Sequence, residues 1–435
     1  MNEPNRRNHS LRPIVIDATA AHRSGAIGYH ANGTVTLAHP SHELLSLPKK
    51  LEITAERQFP AIRATFDDLN KPLSRLANSP LVDGGCSLRQ AYEEEVERYN
   101  SLVNEAQAAG GFEPDYGNYV YDRLAGNLYL LAPERWHRLA LVTSNSKVLT
   151  DPGGVLSWSA MRSRLENAVI GFAGVSVGSN VLEGWLREAR PKCIKVADPD
   201  WVELTNLNRG ERFSLRHLVG SRARRFDLRN SYDTERVSKA EAVVYEQQLV
   251  DPYLDAYVYT DGLTQANMKR FLEGDGDSEP AIDILVEEMD DLDLKIEVRE
   301  RARSLRLDVL MVSDLGNSAH VLWNPYSSSP GASLGYHEQD EDLLRALDQL
   351  KAGDRSKLTQ FLELMCGKGC ITGSFGAFLR GEGEQPTSSM PQSGSTAMAS
   401  GAIGGKELAM HVLGHGLPQQ NRVIYDFETR FGAQG

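Results

Sequence analysis

The segment Ala168–Arg209, AVIGFAGVSVGSNVLEGWLREARPKCIKVADPDWVELTNLNR, constrains the fold more than any other part of the chain. It opens with Ala168-Val169-Ile170, short, apolar and partly β-branched, the pattern of a buried strand. A glycine-spaced turn follows, with Gly171, Gly174 and Gly178. Val181, Leu182, Trp185 and Leu186 then recur at helical spacing, and the spacing predicts a helix from Ser179 to Ala189 that Pro191 closes. A second strand, Cys193 to Ala197, leads into Asp198. Strand, glycine turn, helix, strand and acidic residue are the parts of a nucleotide-binding βαβ unit. Glycine lets the backbone approach a phosphate, and a helix N-terminus offers unpaired N–H groups and the positive end of its dipole. A carboxylate about 20 residues on is placed to accept from ribose hydroxyls.

The residues after Asp198 narrow the reading. They run Asp198-Pro-Asp-Trp-Val-Glu-Leu-Thr-Asn-Leu-Asn-Arg209. This stretch resembles the ThiF/MoeB/HesA family of adenylating enzymes, whose pattern is D-x-D-x-V-x-x-S-N-L-x-R; Thr205 stands where the family usually has Ser. The resemblance is close over residues 160–325 and loose over 385–430. It implies an α/β, Rossmann-like ThiF-type nucleotide-binding fold with an N-terminal α+β extension. The expected division is 1–125 for the extension, 126–160 for a connecting segment, and 161–325 for the adenylation domain. Residues 326–435 would complete that domain with a crossover segment, a small-residue helix and a final strand.

The same resemblance implies ATP and Mg²⁺ as cofactors and a homodimer as the assembled state. The substrate would be the C-terminal carboxylate of a ubiquitin-like or sulfur-carrier protein, or a small carboxylate. Gly171, Gly174 and Gly178 would line the phosphates and Asp198 would hold the ribose. Asn206 and Arg209 would contact phosphates, with Arg209 offsetting charge on the leaving pyrophosphate. Lys239 would hold the α-phosphate and Asp290 would hold Mg²⁺. Arg209, Lys239 and Asp290 are thus the expected catalytic set. The glycine loop departs from the family pattern, because Ala173 and Ser176 fall where glycines are usual.

Composition closes off other classes. A net charge of −12 argues against broad nucleic-acid or anionic-membrane binding. No apolar run approaches the roughly 20 residues of a spanning helix. The N-terminal MNEPNRRNHSLRP lacks the apolar core of a secretory signal. Four cysteines in 435 residues make no disulfide framework, so a reducing cytoplasm is expected. Cys86, Cys193, Cys366 and Cys370 lack the paired C-x-x-C spacing of a structural zinc site.

Elsewhere the chain offers candidates with plainer alternatives. Residues 1–10 are expected to fray. Residues 11–40 alternate apolar runs with glycine turns and predict a small β-containing unit. Lys147 is either a nucleotide contact or a solvated loop lysine. Arg212, Arg216, Arg222, Arg224, Arg225, Arg229 and Arg236 form either an anion-attracting mouth or a solvated surface. Lys239 falls in the first turn of a helix. The apolar run Ala281 to Val286 predicts a strand, and Glu287, Glu288, Asp290, Asp291 and Asp293 crowd its carboxyl end. Mg²⁺ would relieve that repulsion, and Glu287 or Asp293 could instead cap the next helix. Cys366 and Cys370 could be nucleophiles activated by Lys368, or two small hydrophobes. Ser388, Ser389, Ser393 and Ser395 are weaker oxyester candidates. Ser395, Ala399, Ala402 and Gly405 predict close backbone packing of the tail helix. The competing functions are an NAD(P)-dependent oxidoreductase, which leaves Asn206, Arg209 and Asp290 unexplained, and a non-catalytic nucleotide-binding scaffold.

Overall fold

A computed structural model of the chain describes residues 13–17, 27–29, 34–38, 50–54, 88–102, 118–122, 127–142, 156–210, 212–218, 237–276, 278–336, 339–371, 373–382, 390–415 and 421–427. Six short strands come first: β1 (Ile14–Asp17), β2 (Ile27–Tyr29), β3 (Thr34–Ala38), β4 (Lys50–Thr54), β5 (Asn118–Asp122) and β6 (Asn127–Leu131). They form two antiparallel sheets, β1-β5-β6 and β2-β3-β4. The β-containing unit expected near the N-terminus is therefore present. The predicted fraying of residues 1–10 lies outside the described residues.

Seven further strands build the main sheet: β7 (Ile170–Ala173), β8 (Cys193–Ala197), β9 (Asp255–Tyr259), β10 (Ile284–Glu287), β11 (Asp308–Leu315), β12 (Ser318–Asn324) and β13 (Asn421–Asp426). Their order is β13-β12-β11-β10-β7-β8-β9. The five strands from β11 to β9 are parallel, while β12 and β13 add antiparallel to the β11 edge. A parallel strand covered by helices on both faces must be apolar on both faces. Phe172, Ile194, Val196, Val258, Leu285, Val286, Leu310 and Val312 are accordingly all buried. The α/β fold class read from the sequence is the one observed.

This order places a topological switch between β7 and β10. From β7 the chain moves outward to β8 and β9, then returns to the other side of β7 as β10. Connections at the carboxyl ends of β7 and β10 diverge there and open a crevice, where open α/β sheets bind ligands.

One face of the sheet is covered by two helices in backbone contact, Gly178–Ala189 and Gly394–Val412. A Cβ at Gly184 would stand 2.7 Å from the Gly401 carbonyl oxygen, and a Cβ at Gly405 would collide with the Gly184 backbone. Close packing of the tail helix was the expectation, but its face is shifted. Gly401, Gly404 and Gly405 make the approach, whereas Ser395 and Ala402 are exposed.

The connecting segment docks near the amino ends of the strands. Arg138 pairs with Asp251 at 3.0 Å, and the Tyr253 hydroxyl donates to the Ala132 carbonyl at 2.6 Å. A cavity of about 610 Å³ lies there, lined by residues including Arg138, Arg162, Asn167 and Lys192. Asn167 and Lys192 precede β7 and β8, so this cavity is at the edge opposite the switch crevice. Among the described residues no helix is long and apolar enough to cross a membrane.

Candidate active site

The glycine turn leaves β7 and enters the helix Gly178–Ala189. Gly171 is not part of the turn. It lies inside β7, paired between Leu285 and Lys195, and a Cβ there would stand 2.8 Å from Ile282 and 2.9 Å from Phe271. Its lack of a side chain serves the packing of the sheet, and the phosphate role expected for it is corrected on that ground. Gly174 does make the turn, at φ +90°, and a Cβ would stand 2.5 Å from the Glu288 carbonyl oxygen. Gly178 begins the helix beside the Glu288 side chain. The first N–H groups of that helix have no partner within it.

Asp198 is buried at the end of β8. Its two carboxylate oxygens accept from the Val175 N–H at 2.7 Å and the Asp200 N–H at 2.9 Å. The carboxylate thus ties the glycine turn to the segment that follows β8. Burial raises its pKa, against the pull of Lys239 and the two N–H donors. Its remaining lone pairs are the ones available to a ribose.

Lys239 opens the helix Lys239–Gln248 as its first residue, after the N-cap Ser238. Its side chain is buried, and Nζ reaches the Asp200 carboxylate at 2.8 Å. Asp200 is 62% exposed, so this pair is worth no more than about 1 kcal/mol. A phosphate could take the ammonium from it at small cost. The sequence reading missed Asp200 as the partner, although it is the second Asp of the quoted motif.

Asn206 and Arg209 belong to the 3-10 helix Leu204–Asn208 and its cap. Asn206 is buried and its side-chain oxygen accepts from the Glu203 N–H at 2.8 Å. One of its polar atoms is therefore occupied in holding this turn. Arg209 donates from Nη1 to the Thr205 carbonyl at 2.8 Å, and its own carbonyl accepts from Asn180 of the loop helix at 2.7 Å. Its Nε is buried without a hydrogen-bond partner among the described residues.

Past β10 the carboxylates divide by role. Glu287 is no helix cap. It is fully buried and paired with Lys295 at 2.7 Å and Arg299 at 2.9 Å. Burial alone would raise its pKa, but the two cations outweigh that and hold it below the usual range. Glu288 accepts from the Val312 N–H, continuing the ladder beyond the end of β10, and burial drives its pKa well up. Asp291 caps the helix Leu292–Ser304, accepting from Asp293 and Leu294 at 3.0 Å. Asp293 pairs with Lys351 at 2.9 Å. Asp290 is exposed, and no described residue takes it as a hydrogen-bond or ion-pair partner.

Sequence reasoning did not single out Asp314, which lies in β11 where that strand runs into a hairpin with β12. Asp314 is buried with Oδ2 unpartnered, and burial pushes its pKa up to about 7. Arg209 pulls that value down and Asp290 pushes it up, so the three charges share one neighbourhood. Gln392 donates to Asp314 Oδ1 at 3.4 Å, and Gly316 bridges Gln392 through the backbone. Among the described residues no group of three or more His, Cys, Asp or Glu is disposed to hold a metal ion. Mg²⁺ bound with phosphates needs only one or two carboxylates.

The remaining candidates fall away from this edge or outside view. Cys366 and Cys370 are both buried, and the Cys370 thiol donates to the Leu362 carbonyl at 3.5 Å. The neighbouring thiol and burial push Cys370 up, while Cys370 holds Cys366 below the usual thiol range. Their burial in an apolar cluster favours the reading as two small hydrophobes over that as exposed nucleophiles. Arg212 is bound to Glu183 at 2.8 Å. Arg222 to Arg236, Lys147, Cys86, Ser388 and Ser389 lie outside the described residues. Ser393 caps the tail helix. His411 bonds Asp308 at 2.8 Å and stacks on Trp323, a structural pairing.

No protein-family model matches the chain. The "Uncharacterized protein MT1398" of Mycobacterium tuberculosis (strain CDC 1551 / Oshkosh) is 30% identical over 148 residues, covering 34% of this chain. The chain spans only 17% of that relative's length. Among solved structures, E. coli MccB with ATP is similar at a TM-score of 0.39 and 14% identity, over 62% of this chain and 63% of MccB. MccB with AMPCPP and MccA gives a TM-score of 0.38 at 14% identity, over the same shares. PaaA is similar at a TM-score of 0.40 and 13% identity, over 80% of this chain and 82% of PaaA.

Proposed function

We propose that this chain adenylates a carboxylate at the expense of ATP. A substrate carboxylate oxygen attacks the α-phosphorus. A new acyl–O–P bond forms, the bond to the β-phosphate oxygen breaks, and pyrophosphate leaves with its charge. Such chemistry needs positioned charge more than covalent help from the protein.

The observation that carries this reading is a set of buried polar atoms left without partners around the switch crevice. They are Ser176 Oγ in the glycine turn, Arg209 Nε and Asp314 Oδ2, none with a hydrogen-bond partner among the described residues. Most buried polar atoms are paired, and an exception calls for a ligand, an ion or water. The turn at Gly174 and the N-terminus of helix Gly178–Ala189 form a seat for an anion. Asp198 stands beside that seat for a ribose. Lys239 leaves Asp200 for the α-phosphate, and Arg209 balances charge on the departing pyrophosphate. Asn206 fixes the turn that carries Arg209. Mg²⁺, when bound at Asp290, would neutralise phosphate charge and orient the leaving group.

The substrate we favour is the C-terminus of a ubiquitin-like or sulfur-carrier protein, with a small carboxylate or peptide as the alternative. A homodimer belongs to the same reading. The test is ATP–pyrophosphate exchange in the presence of candidate carrier proteins and peptides, alongside calorimetry with ATP and with NAD. Exchange that depends on a carboxylate substrate supports the assignment. Binding of NAD with no binding of ATP overturns it.

A further inference from the structure

We infer that the cavity between the connecting segment and the amino ends of β7 and β8 binds a small organic anion through the guanidinium of Arg138. The site stands apart from the adenylation reading, because it lies at the edge of the sheet opposite the switch crevice. The cavity measures about 610 Å³, which falls in the range of small-molecule sites. Its walls come from the helices Glu134–Val142 and Trp158–Asn167 and from Lys192, just ahead of β8. Four cations line it, Arg135, Arg138, Arg162 and Lys192, against two acids, Glu134 and Glu166. Glu166 is divided between Arg162 at 3.2 Å and Lys192 at 2.8 Å. The lining therefore carries an excess of positive charge, which suits an anion and disfavours a metal ion.

Arg138 is the group that calls for a ligand. Only 2% of it is exposed, and its Nε is held by the buried Asp251 at 3.0 Å. Its Nη1 lies 2.9 Å from Glu134, which is 51% exposed. Its Nη2 has no hydrogen-bond partner among the described residues. A desolvated N–H with nothing to donate to is costly, and such exceptions among buried polar atoms call for a ligand, an ion or water. Asp251 fixes one edge of the guanidinium, so the other edge is set before anything binds. That edge is a two-donor fork, and it matches the paired oxygens of a carboxylate or a phosphate. Taking Nη1 from the half-exposed Glu134 costs little. Pro133 and Leu139 give the cavity an apolar wall, which suits the body of an organic ligand over a bare inorganic ion.

The competing account is a cavity that holds only water. Calorimetry on the full chain separates the two, with benzoate and phenyl phosphate as the anions and benzamide as the neutral counterpart. At least one anion should bind saturably with one-to-one stoichiometry, and benzamide roughly tenfold or more weakly. Benzoate binding alone marks a carboxylate site, and phenyl phosphate binding alone marks a phosphate site. Arg138→Lys keeps a charge beside Asp251 but loses the fork, and should cost roughly tenfold or more in anion affinity. Glu134→Gln removes the competing carboxylate and should tighten the anion by up to about fivefold. Ser159→Trp fills the cavity while leaving every one of these ion pairs in place, and should abolish binding. Each variant is checked for folding by its circular dichroism melt. Binding of neither anion to the wild type overturns the inference. Binding that survives Ser159→Trp belongs elsewhere, such as the crevice, and overturns it as well. Should Arg138→Lys fail to fold, Glu134→Gln and Ser159→Trp still decide: no tightening in the first and no loss in the second leave the cavity to water.

Discussion

Two groups of acids lie along the same sheet, and they are treated in opposite ways. Within the sheet, Lys195 is paired with Glu279 at 2.9 Å and also donates to two carbonyls, while Arg270 and the Tyr259 hydroxyl complete the Glu279 shell. Glu287 is held as tightly by Lys295 and Arg299. At the switch crevice, neither Asp314 Oδ2 nor the exposed Asp290 carboxylate has a hydrogen-bond partner among the described residues. Desolvated charge is tolerated only when paired. Within the sheet the counter-charge is in direct contact, and at the crevice Arg209 acts on Asp314 without a hydrogen bond to it. If that contrast holds, changes at the first group should cost stability and changes at the second should cost activity.

The largest expected effect is on the active edge. Arg209→Ala should slow pyrophosphate exchange on the order of a thousandfold or more, by analogy with charge-stabilising arginines in nucleotide hydrolases. The melting temperature should stay within a few degrees, because the side chain gives up only its local bonds to the Thr205 carbonyl and to Asn208 Oδ1. An unchanged exchange rate in a folded protein would remove Arg209 from the mechanism and blur the contrast.

The converse experiment is Glu287→Gln. It leaves Arg299 and Lys295 facing a neutral amide, and Arg299 is fully buried. Removing one member of a buried pair destabilises by about 3–5 kcal/mol. Urea titration should show that loss. A variant within about 1 kcal/mol of wild type would mean that the buried pair is no structural clamp.

These two predictions also mark what could be read in advance. The βαβ unit, Asp198, Arg209 and the helical start at Lys239 were legible because glycine spacing and apolar runs are local signals. Gly171 was misread because strand and turn glycines look alike without the neighbours Phe271 and Ile282. β12 went unread, since Ser318-Ala-His-Val-Leu-Trp-Asn324 mixes polar residues into a strand that is buried throughout. Some of its polar groups are accommodated by contacts distant in sequence, such as Asn324 with Arg299. Missing β12 hid the hairpin, and with it the burial of Asp314. The face of the tail helix was off for the same reason. Small residues were visible on several sides of it, and only the partner helix selects Gly401, Gly404 and Gly405.

A third test sharpens the stability side through pH. His320 on β12 is buried, and burial, with Arg422 adding to it, lowers its pKa to about 4, while Asp426 opposes the shift. The unfolded value is near 6.5, so the unfolded chain binds the extra proton between about pH 4 and 6.5. The neutral ring's stability contribution is present above pH 6.5 and is lost as pH falls toward 4. The lost amount is on the order of 3 kcal/mol at its limit. His320→Phe should flatten that part of the stability–pH curve. An equal acid slope in the variant would assign it to other groups.

The smallest effect is the most discriminating. Asp290→Asn should leave the metal-free protein as stable as before, or more stable by a few tenths of a kcal/mol, since Asp290 is exposed and such charges act weakly. The sign follows from Asp314. Asp290 repels it, and Arg209 offsets that only in part, so neutralising Asp290 relieves a buried carboxylate. In turnover the sign reverses. The same charge would be an oxygen ligand, and its loss should raise the Mg²⁺ concentration needed for half-maximal pyrophosphate exchange. Both measurements belong on one preparation: melting temperature in chelator, then exchange against Mg²⁺. A structural acid such as Glu287 would give the opposite pair, a lower melting temperature and an unaltered Mg²⁺ dependence. If Asp290→Asn gives that pair, Asp290 belongs with the clamped group and the division between the two groups is drawn in the wrong place.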